Sequence, residues 1–207
     1  VVVGEANYEG IIHSTQAEVQ RLMFWTSVLS GAAGHTYGAN GLWQVNTRQR
    51  PYGPSPHGGN WGNTPWEEAY QLPGSLQLGL ARKLLELYPW WRFESHQHWV
   101  EPSGTPENVT APFAAGIPGK VRFIYFYKPI FPWSGNSIKV TGIEPDYAYH
   151  ALFWDPRTGD ARYLGTVEPD SNSCWQVPLQ PTFSDWLLIL DATAAYSQLV
   201  SAKERNQ

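Results

Sequence analysis

Two glutamates lie close together near the start of the chain. Val1–Glu5 is a run of mostly β-branched residues that ends in a carboxylate, and Glu9 follows four residues later. Such a run is typical of a buried parallel strand, and α/β enzymes build their sites at the carboxyl ends of these strands. The pattern therefore predicts that Glu5 reaches an edge where a carboxylate can take part in catalysis. Capping of the next helix, or pairing with a base, is the alternative.

Aromatic side chains and a histidine form a second group of candidate site residues. His35 and Tyr37 are two apart and so share one side of a strand, while Trp43 lies beyond a glycine-rich bend. Tryptophan stacks on the apolar face of a sugar, and His and Tyr bond to its hydroxyls. Each residue alone is more often a core residue, but beside Glu5 the set favours binding. Trp61 is expected either to line the outer part of this site or to lie at a contact between domains.

The composition restricts the class of ligand. Only 15% of the residues are charged, and eleven Trp stand beside eleven Tyr, which suits neutral, polyhydroxylated ligands. A net charge of −4 without a Lys/Arg run argues against nucleic acid. No apolar run approaches the roughly 20 residues that span a bilayer, so no membrane partner is expected. His96 and His98 alternate beside Glu94 as if on a strand, but without a third placed ligand they predict no metal, and no cofactor is implied.

The first half of the chain alternates strand and helix patterns, which is the order of an α/β protein. A helix is expected after Ser14, a second strand at His35–Tyr37, a loop over Gly38–Asn63, a brief helix at Pro65–Tyr70 and a longer helix from Pro73. The faces expected to be buried are Val19, Leu22, Met23, Thr26 and Leu29 in the first helix, and Leu76, Leu80, Leu84, Leu87 and Tyr88 in the last.

The second half has short apolar runs separated by turn residues, which predicts an antiparallel β-sandwich. Asp155–Asp160 has the residues of a tight hairpin turn, and Pro102–Asn108 is the expected connection between the two halves. The predicted strands are Val121–Tyr127, Ser137–Val140, Tyr147–Trp154, Ala161–Val167, Cys174–Val177 and Asp185–Asp191.

An ordered set of motifs resembles a known enzyme family. The motifs are Glu5–Gly10, Gly31–Trp43, Trp66, Leu72–Ser75, Phe153–Gly159 and Asp185–Leu190. With these motifs, the first part resembles the last quarter of the apiosidase-like glycoside hydrolase barrels, and the second resembles the collagen-binding-type β-sandwich appended to them. The resemblance implies an α/β plus all-β chain: the C-terminal part of a (β/α)8 TIM barrel over residues 1–92, and an antiparallel β-sandwich over residues 93–207.

The resemblance also implies roles for individual residues. Val1–Glu5 corresponds to barrel strand seven, and Glu5 falls where the family has the nucleophile of a retaining, two-carboxylate mechanism. Glu9 is the rival for that role or a residue that orients substrate, and Asn7 and Tyr8 flank the sugar. For Tyr8, packing at the barrel rim is the alternative.

The expected partners follow from the same resemblance. The second carboxyl group belongs to strand four, so the N-terminal part of the barrel, as an upstream segment or a separate chain, is an expected partner. The expected substrate is a neutral glycan of the plant cell-wall type, and the expected location is secreted or periplasmic, with a signal peptide outside this chain. The alternatives are a non-catalytic carbohydrate- or collagen-binding module and an inactive barrel remnant.

Overall fold

The regular secondary structure of the first part of the chain is mainly helical, and that of the second is mainly antiparallel sheet. The structure is a computed structural model that describes residues 1–13, 15–51, 61–108, 110–128 and 137–204. The chain divides into two compact units. The first comprises Val1–Val28 and Ala32–Lys83, and the second comprises Leu29–Gly31 and Leu84–Gln207. The predicted domain boundary at residue 92 stays a prediction.

The three helices expected in the first half are confirmed. The α-helices are α1 (Ala17–Leu29), α2 (Trp66–Ala69), α3 (Pro73–Leu85) and α4 (Tyr196–Glu204). Short 3-10 helices cover Ile11–His13, Trp90–Arg92 and Gln97–Trp99. The last of these corrects the strand expected around His96 and His98. His96 instead stacks on Trp99 with a ring separation of 4.0 Å. Residues 52–60 of the predicted loop lie outside the described residues.

The helix faces differ from those predicted. The residues of α1 that are buried are Gln20, Arg21, Phe24, Trp25, Val28 and Leu29, and of the predicted face only Leu29 is among them. Two polar residues are buried because they have partners: Gln20 Nε2 donates to the Asn7 carbonyl at 2.6 Å, and Arg21 Nη1 donates to Gln77 Oε1 at 2.5 Å. A prediction from apolar spacing assigns buried polar residues such as these to the exposed face of the helix. In α3, Leu76 is 69% exposed, whereas Leu84 is buried as expected.

The opening run pairs with the segment that contains His35. Val3 and His35 form a parallel bridge, in which the Val3 amide donates to the Gly34 carbonyl at 2.9 Å and the Thr36 amide to the Val3 carbonyl at 3.0 Å. The predicted burial of the run is wrong, because Val1 is 97% exposed. Val2 is 62% exposed as well, and Val3, which forms the bridge, is half-buried.

Two antiparallel sheets supply most of the regular secondary structure of the second unit. Their strands are β1 (Glu94–Ser95), β2 (Val100–Glu101), β3 (Phe113–Ile117), β4 (Val121–Phe126), β5 (Lys139–Val140), β6 (His150–Trp154), β7 (Ala161–Thr166), β8 (Trp175–Gln176) and β9 (Trp186–Asp191). One sheet has the order β1-β3-β4-β9-β6-β7, and the other β2-β5-β8. All six predicted strands are confirmed with small changes at their ends. The sequence Phe-Ala-Ala-Gly-Ile of β3 was missed because Ala and Gly are poor strand formers.

A buried cluster contains side chains from both sheets. Val100 and Val140 of the smaller sheet belong to it together with Ile124, Phe153 and Leu188 of the larger sheet. Strands β4 and β9 are buried along their whole length, so both of their faces are covered. This explains why each of them is apolar at five of its six positions.

The predicted hairpin between β6 and β7 is confirmed. The Asp155 amide donates to the Asp160 carbonyl at 2.8 Å, and Gly159 takes the positive φ of 79° that the turn requires. The Asp155 carboxylate accepts the Arg157 backbone amide at 2.9 Å and its guanidinium at 2.6 Å. The turn is therefore held by one carboxylate.

A buried arginine lies within the second unit. The Arg122 guanidinium donates to the carbonyls of Thr141, at 2.8 Å, and Gly142, and to Glu144 Oε2 at 2.6 Å. It also lies over the Trp99 ring, 4.2 Å from the ring centre. Glu144 Oε2 accepts the Tyr149 hydroxyl at 2.8 Å as well.

Candidate active site

Glu5 is an exposed carboxylate at the end of the opening run. Its Oε1 accepts the Tyr8 hydroxyl at 2.8 Å. The backbone before it is held by Thr36, whose hydroxyl lies 2.7 Å from the Gly4 carbonyl and 3.2 Å from the Val3 carbonyl. The carboxylate is thus oriented by one bond and carried by a backbone that is tied to the neighbouring segment.

Tyr8 is held in place by its packing. A Cβ atom at Gly38 would lie 2.7 Å from Tyr8 Cδ1, so the ring rests on backbone that only glycine leaves free. The Trp43 ring lies 5.9 Å from the Tyr8 ring at 41°, and Trp43 is 38% exposed. Burial, and then the bond to Glu5, raises the pKa of Tyr8 to about 12. Tyr8 is therefore a protonated hydrogen-bond donor to Glu5 at neutral pH.

Glu9 occupies a different environment, since it is only 2% exposed. The Gly74 amide at the start of α3 lies 3.1 and 3.0 Å from its two carboxylate oxygens, and the Tyr37 hydroxyl donates to Oε2 at 2.6 Å. A carboxylate is favourable at this end of a helix. A Cβ atom at Gly74 would collide with Glu9 Oε2. Burial, and then the bond to Glu9, raises the pKa of Tyr37.

Replacing Glu9 by Gln is expected to cost stability, because an amide cannot accept on both sides as the carboxylate does. Loss of one buried acceptor typically costs about 1–3 kcal/mol. Urea denaturation of the chain should show this decrease in the free energy of unfolding, while Glu18→Gln, at an exposed position in the first turn of α1, should lower it by no more than the amount typical of an exposed charge there, about 0.3–1 kcal/mol. Equal stability of the Glu9→Gln variant and the parent would contradict the described packing.

The remaining predicted site residues are spread around these two groups. Asn7 is exposed, and its Oδ1 accepts the Thr15 hydroxyl at 3.4 Å. His35 packs edge-on against Phe24 of α1 at 5.6 Å, and burial lowers its pKa. Trp61 is half-buried, and its carbonyl accepts the Ile12 amide at 2.8 Å.

The structure thus brings Glu5, Tyr8 and Trp43 together, and Glu9 and Tyr37 together. His35 packs on the helix. Sequence reasoning missed Thr36, Gly38 and Gly74, whose contributions are backbone positions and close approaches. In the sequence, the role of Gly38 was indicated only by its position between Tyr37 of the predicted strand and the loop that follows.

Within the described residues, no three His, Cys, Asp or Glu side chains are grouped so that they could hold a metal ion. No helix in the described part of the chain is long and apolar enough to cross a membrane.

The comparisons with known proteins agree with the resemblance seen in the motifs. Residues 1–92, out of 207, match the model of a family described as "Apiosidase-like, catalytic domain". The matched segment includes Glu5, Tyr8, Glu9 and Trp43. The resemblance of this part to the apiosidase-like family is confirmed. The resemblance of the second part to a collagen-binding-type domain stays a prediction.

Solved structures share the fold of nearly the whole chain. One, named "Glycoside hydrolase", has a TM-score of 0.72 at 22% identity over 94% of this chain and 42% of its own. Another, a glycoside hydrolase family 5 from Bacteroides vulgatus ATCC 8482, has a TM-score of 0.70 at 20% identity over the same shares. At these identities the likeness is one of fold, and this chain spans about two fifths of their length. No curated protein matches the chain.

Proposed function

We propose that the chain is the C-terminal part of a (β/α)8 glycoside hydrolase followed by a β-sandwich, and that the complete enzyme hydrolyses a neutral glycan with retention of configuration. The family match of residues 1–92 and the folds of the solved glycoside hydrolases support this proposal. So does the core cluster with side chains from two sheets, which is the packing of a sandwich.

The contrast between the two glutamates carries the choice of nucleophile. Glu5 is exposed and bonded through one oxygen to Tyr8, whereas Glu9 is buried with both oxygens engaged. A nucleophile needs a free oxygen that can reach the anomeric carbon. Glu5 is accordingly the nucleophile of the proposal, and Glu9 supports the backbone through Tyr37 and Gly74.

The proposed reaction has two steps. Glu5 attacks the anomeric carbon while a second carboxyl group, about 5–5.5 Å away, protonates the leaving oxygen, which produces a glycosyl ester on Glu5. The second carboxylate then takes a proton from water, the water oxygen attacks the same carbon, and Glu5 leaves as carboxylate. Tyr8 orients Oε1 of Glu5, and Trp43 lies under the apolar face of the sugar.

The second carboxyl group would come from the N-terminal part of the barrel, as an upstream segment or a separate chain. The share of the matched structures that this chain spans supports such a partner. The proposed substrate class is a plant cell-wall polysaccharide, including apiose-containing pectin, and the proposed location is secreted or periplasmic. No cofactor takes part in the proposed mechanism.

The stereochemistry of the product tests this proposal. The chain together with its N-terminal barrel part is incubated with plant cell-wall polysaccharides, and proton NMR identifies the anomer of the sugar that is released first. The expected anomer has the configuration of the bond that was cleaved. Release of the opposite anomer would overturn the retaining mechanism, and no release from any polysaccharide would favour a binding module or an inactive remnant.

A further inference from the structure

Three rings form a cluster on the larger sheet of the second unit. They belong to His150 of β6, Tyr163 of β7 and Tyr196 at the start of α4. The Tyr163 hydroxyl lies 2.7 Å from His150 Nδ1. The Tyr196 ring stacks on His150 at 4.2 Å and lies 5.9 Å from Tyr163 at an angle of only 14°. Tyr163 is nevertheless 43% exposed.

A bulge brings Tyr163 to this face. His150 pairs with Thr166 and Ala151 with Gly165, and if that register continued, Tyr163 would pair with Phe153. The side chain of Phe153 lies in the buried core cluster.

The register instead shifts after Ala151, so that Tyr163 pairs with Leu152. A shift of one residue turns a side chain to the opposite face of a sheet. Gly165, with a φ of 109°, supplies the backbone conformation beside the shift. The fold thus displays a tyrosine beside His150 that a regular strand would bury.

The cluster is held rigid by the start of α4. The buried Asp191 accepts the Tyr196 amide at 2.7 Å and the Thr193 amide at 2.6 Å. It also accepts the Tyr88 hydroxyl at 3.1 Å. Tyr196 therefore has a fixed backbone from which to support the other two rings, and the Tyr163 ring has little freedom to lose on binding.

We propose that this cluster is a second glycan-binding site, in which the exposed part of Tyr163 stacks on a sugar ring of a neutral polysaccharide. A flat ring supported by a near-parallel neighbour offers apolar area without a change in conformation. In the bond between Tyr163 and His150 one group donates and the other accepts, and sugar hydroxyls, which can do both, match the capacity that remains on the Tyr163 oxygen. The site involves neither Glu5 nor hydrolysis, so it stands independently of the proposed mechanism.

Native affinity electrophoresis of the full chain tests the site. Gels contain neutral galactan, xylan or arabinan, and the retardation gives an affinity for each. The parent is expected to be retarded by at least one of them, and Tyr163→Ala to bind that polymer at least tenfold more weakly. Tyr163→Phe keeps the ring and should remain within about threefold of the parent. Phe183→Ala, which removes another exposed aromatic ring of the same unit, should bind like the parent.

Stability is measured in parallel, because the cluster also packs α4 on the sheet. If Tyr163→Ala unfolds, Tyr163→Leu keeps apolar contact without a flat ring, and it should show the same loss of affinity. Parent-like binding by the Ala or Leu variant would overturn the proposal, as would a parent that none of the three polymers retards or one that adsorbs only to collagen. If the complete enzyme does not hydrolyse a polysaccharide but the chain is still retarded by it, the proposed mechanism is refuted and the proposed binding site is not.

Discussion

Replacing Glu5 by Gln in the complete enzyme is expected to lower the rate of hydrolysis by several orders of magnitude while the protein still folds. Gln keeps the shape and the bond from Tyr8, but it removes the negative charge that captures the anomeric centre. Because Glu5 is exposed, the change costs little stability. Steady-state kinetics and thermal unfolding of the same preparation separate the two effects.

Chemical rescue sharpens the test. Glu5→Gly removes the carboxylate and leaves room for azide, which attacks the anomeric carbon of an activated aryl glycoside from the same side. The product is a glycosyl azide of inverted configuration, and the aryl group leaves as the phenolate. Glu9→Gln is the matched control, and it should keep far more activity than Glu5→Gln. If Glu9→Gln is inactive and Glu5→Gln keeps most of its turnover, the two roles are reversed.

The strands of the second unit could be predicted because the residue types within each strand indicate whether its faces are buried. Val121–Phe126 and Trp186–Asp191 are each apolar at five of six positions, and the structure buries both of their faces. The turn at Asp155–Asp160 is equally local, since a carboxylate, an arginine and a glycine within six residues complete it. Local patterns of this kind depend little on the rest of the chain.

The contacts around the two glutamates could not be predicted in the same way. Glu9 and Gly74 are 65 positions apart, and neither residue type identifies the other. Gln20 and Arg21 are buried through bonds to distant residues, so the buried face of α1 includes polar positions that apolar spacing does not identify. The run before Glu5 could not be assigned correctly from its own residues either, because β-branched character predicts burial, whereas Val1 is 97% exposed and, among the described residues, only Val3 of the run forms a bridge to His35.

The cluster of His150, Tyr163 and Tyr196 shows a third limit of prediction from the sequence. Alternation along Ala161–Thr166 cannot assign Tyr163 to a face, since one extra residue in the strand reverses every assignment beyond it. Gly165 was the only residue in the strand that indicated an irregularity. A glycine inside a strand pattern therefore indicates a bulge, beyond which the side chains lie on the opposite faces of the sheet from those that regular alternation predicts.

Replacing Arg122 by Ala is expected to destabilise the second unit by about 3–5 kcal/mol, because two carbonyl acceptors lose a charged donor, worth about 1.5–3 kcal/mol each, and the partly buried Glu144 loses its cation. Arg122 is fully buried, and its loss leaves the Thr141 and Gly142 carbonyls without these donors and Glu144 without its cation. Arg48→Ala is the matched control, because Arg48 and Glu68 form an ion pair with both side chains exposed. Such pairs contribute about 0–1 kcal/mol. Similar losses of unfolding free energy in both variants would contradict this account.

The pH dependence of stability in the parent and in Arg122→Ala tests whether Arg122 acts through the charge of Glu144. Burial alone raises the pKa of Glu144, but hydrogen bonds from Tyr149, from its own backbone amide and from Arg122 lower it overall. A carboxyl group with a lowered pKa in the folded state stabilises the protein above its unfolded value, 4.5, and loses that contribution as the pH falls through the folded pKa. The parent should therefore lose stability below pH 4.5 more steeply than Arg122→Ala, in which the cation is already absent. Equal slopes in the two proteins would mean that Arg122 acts through the two carbonyls and the Trp99 ring, and that its charge contributes nothing through Glu144.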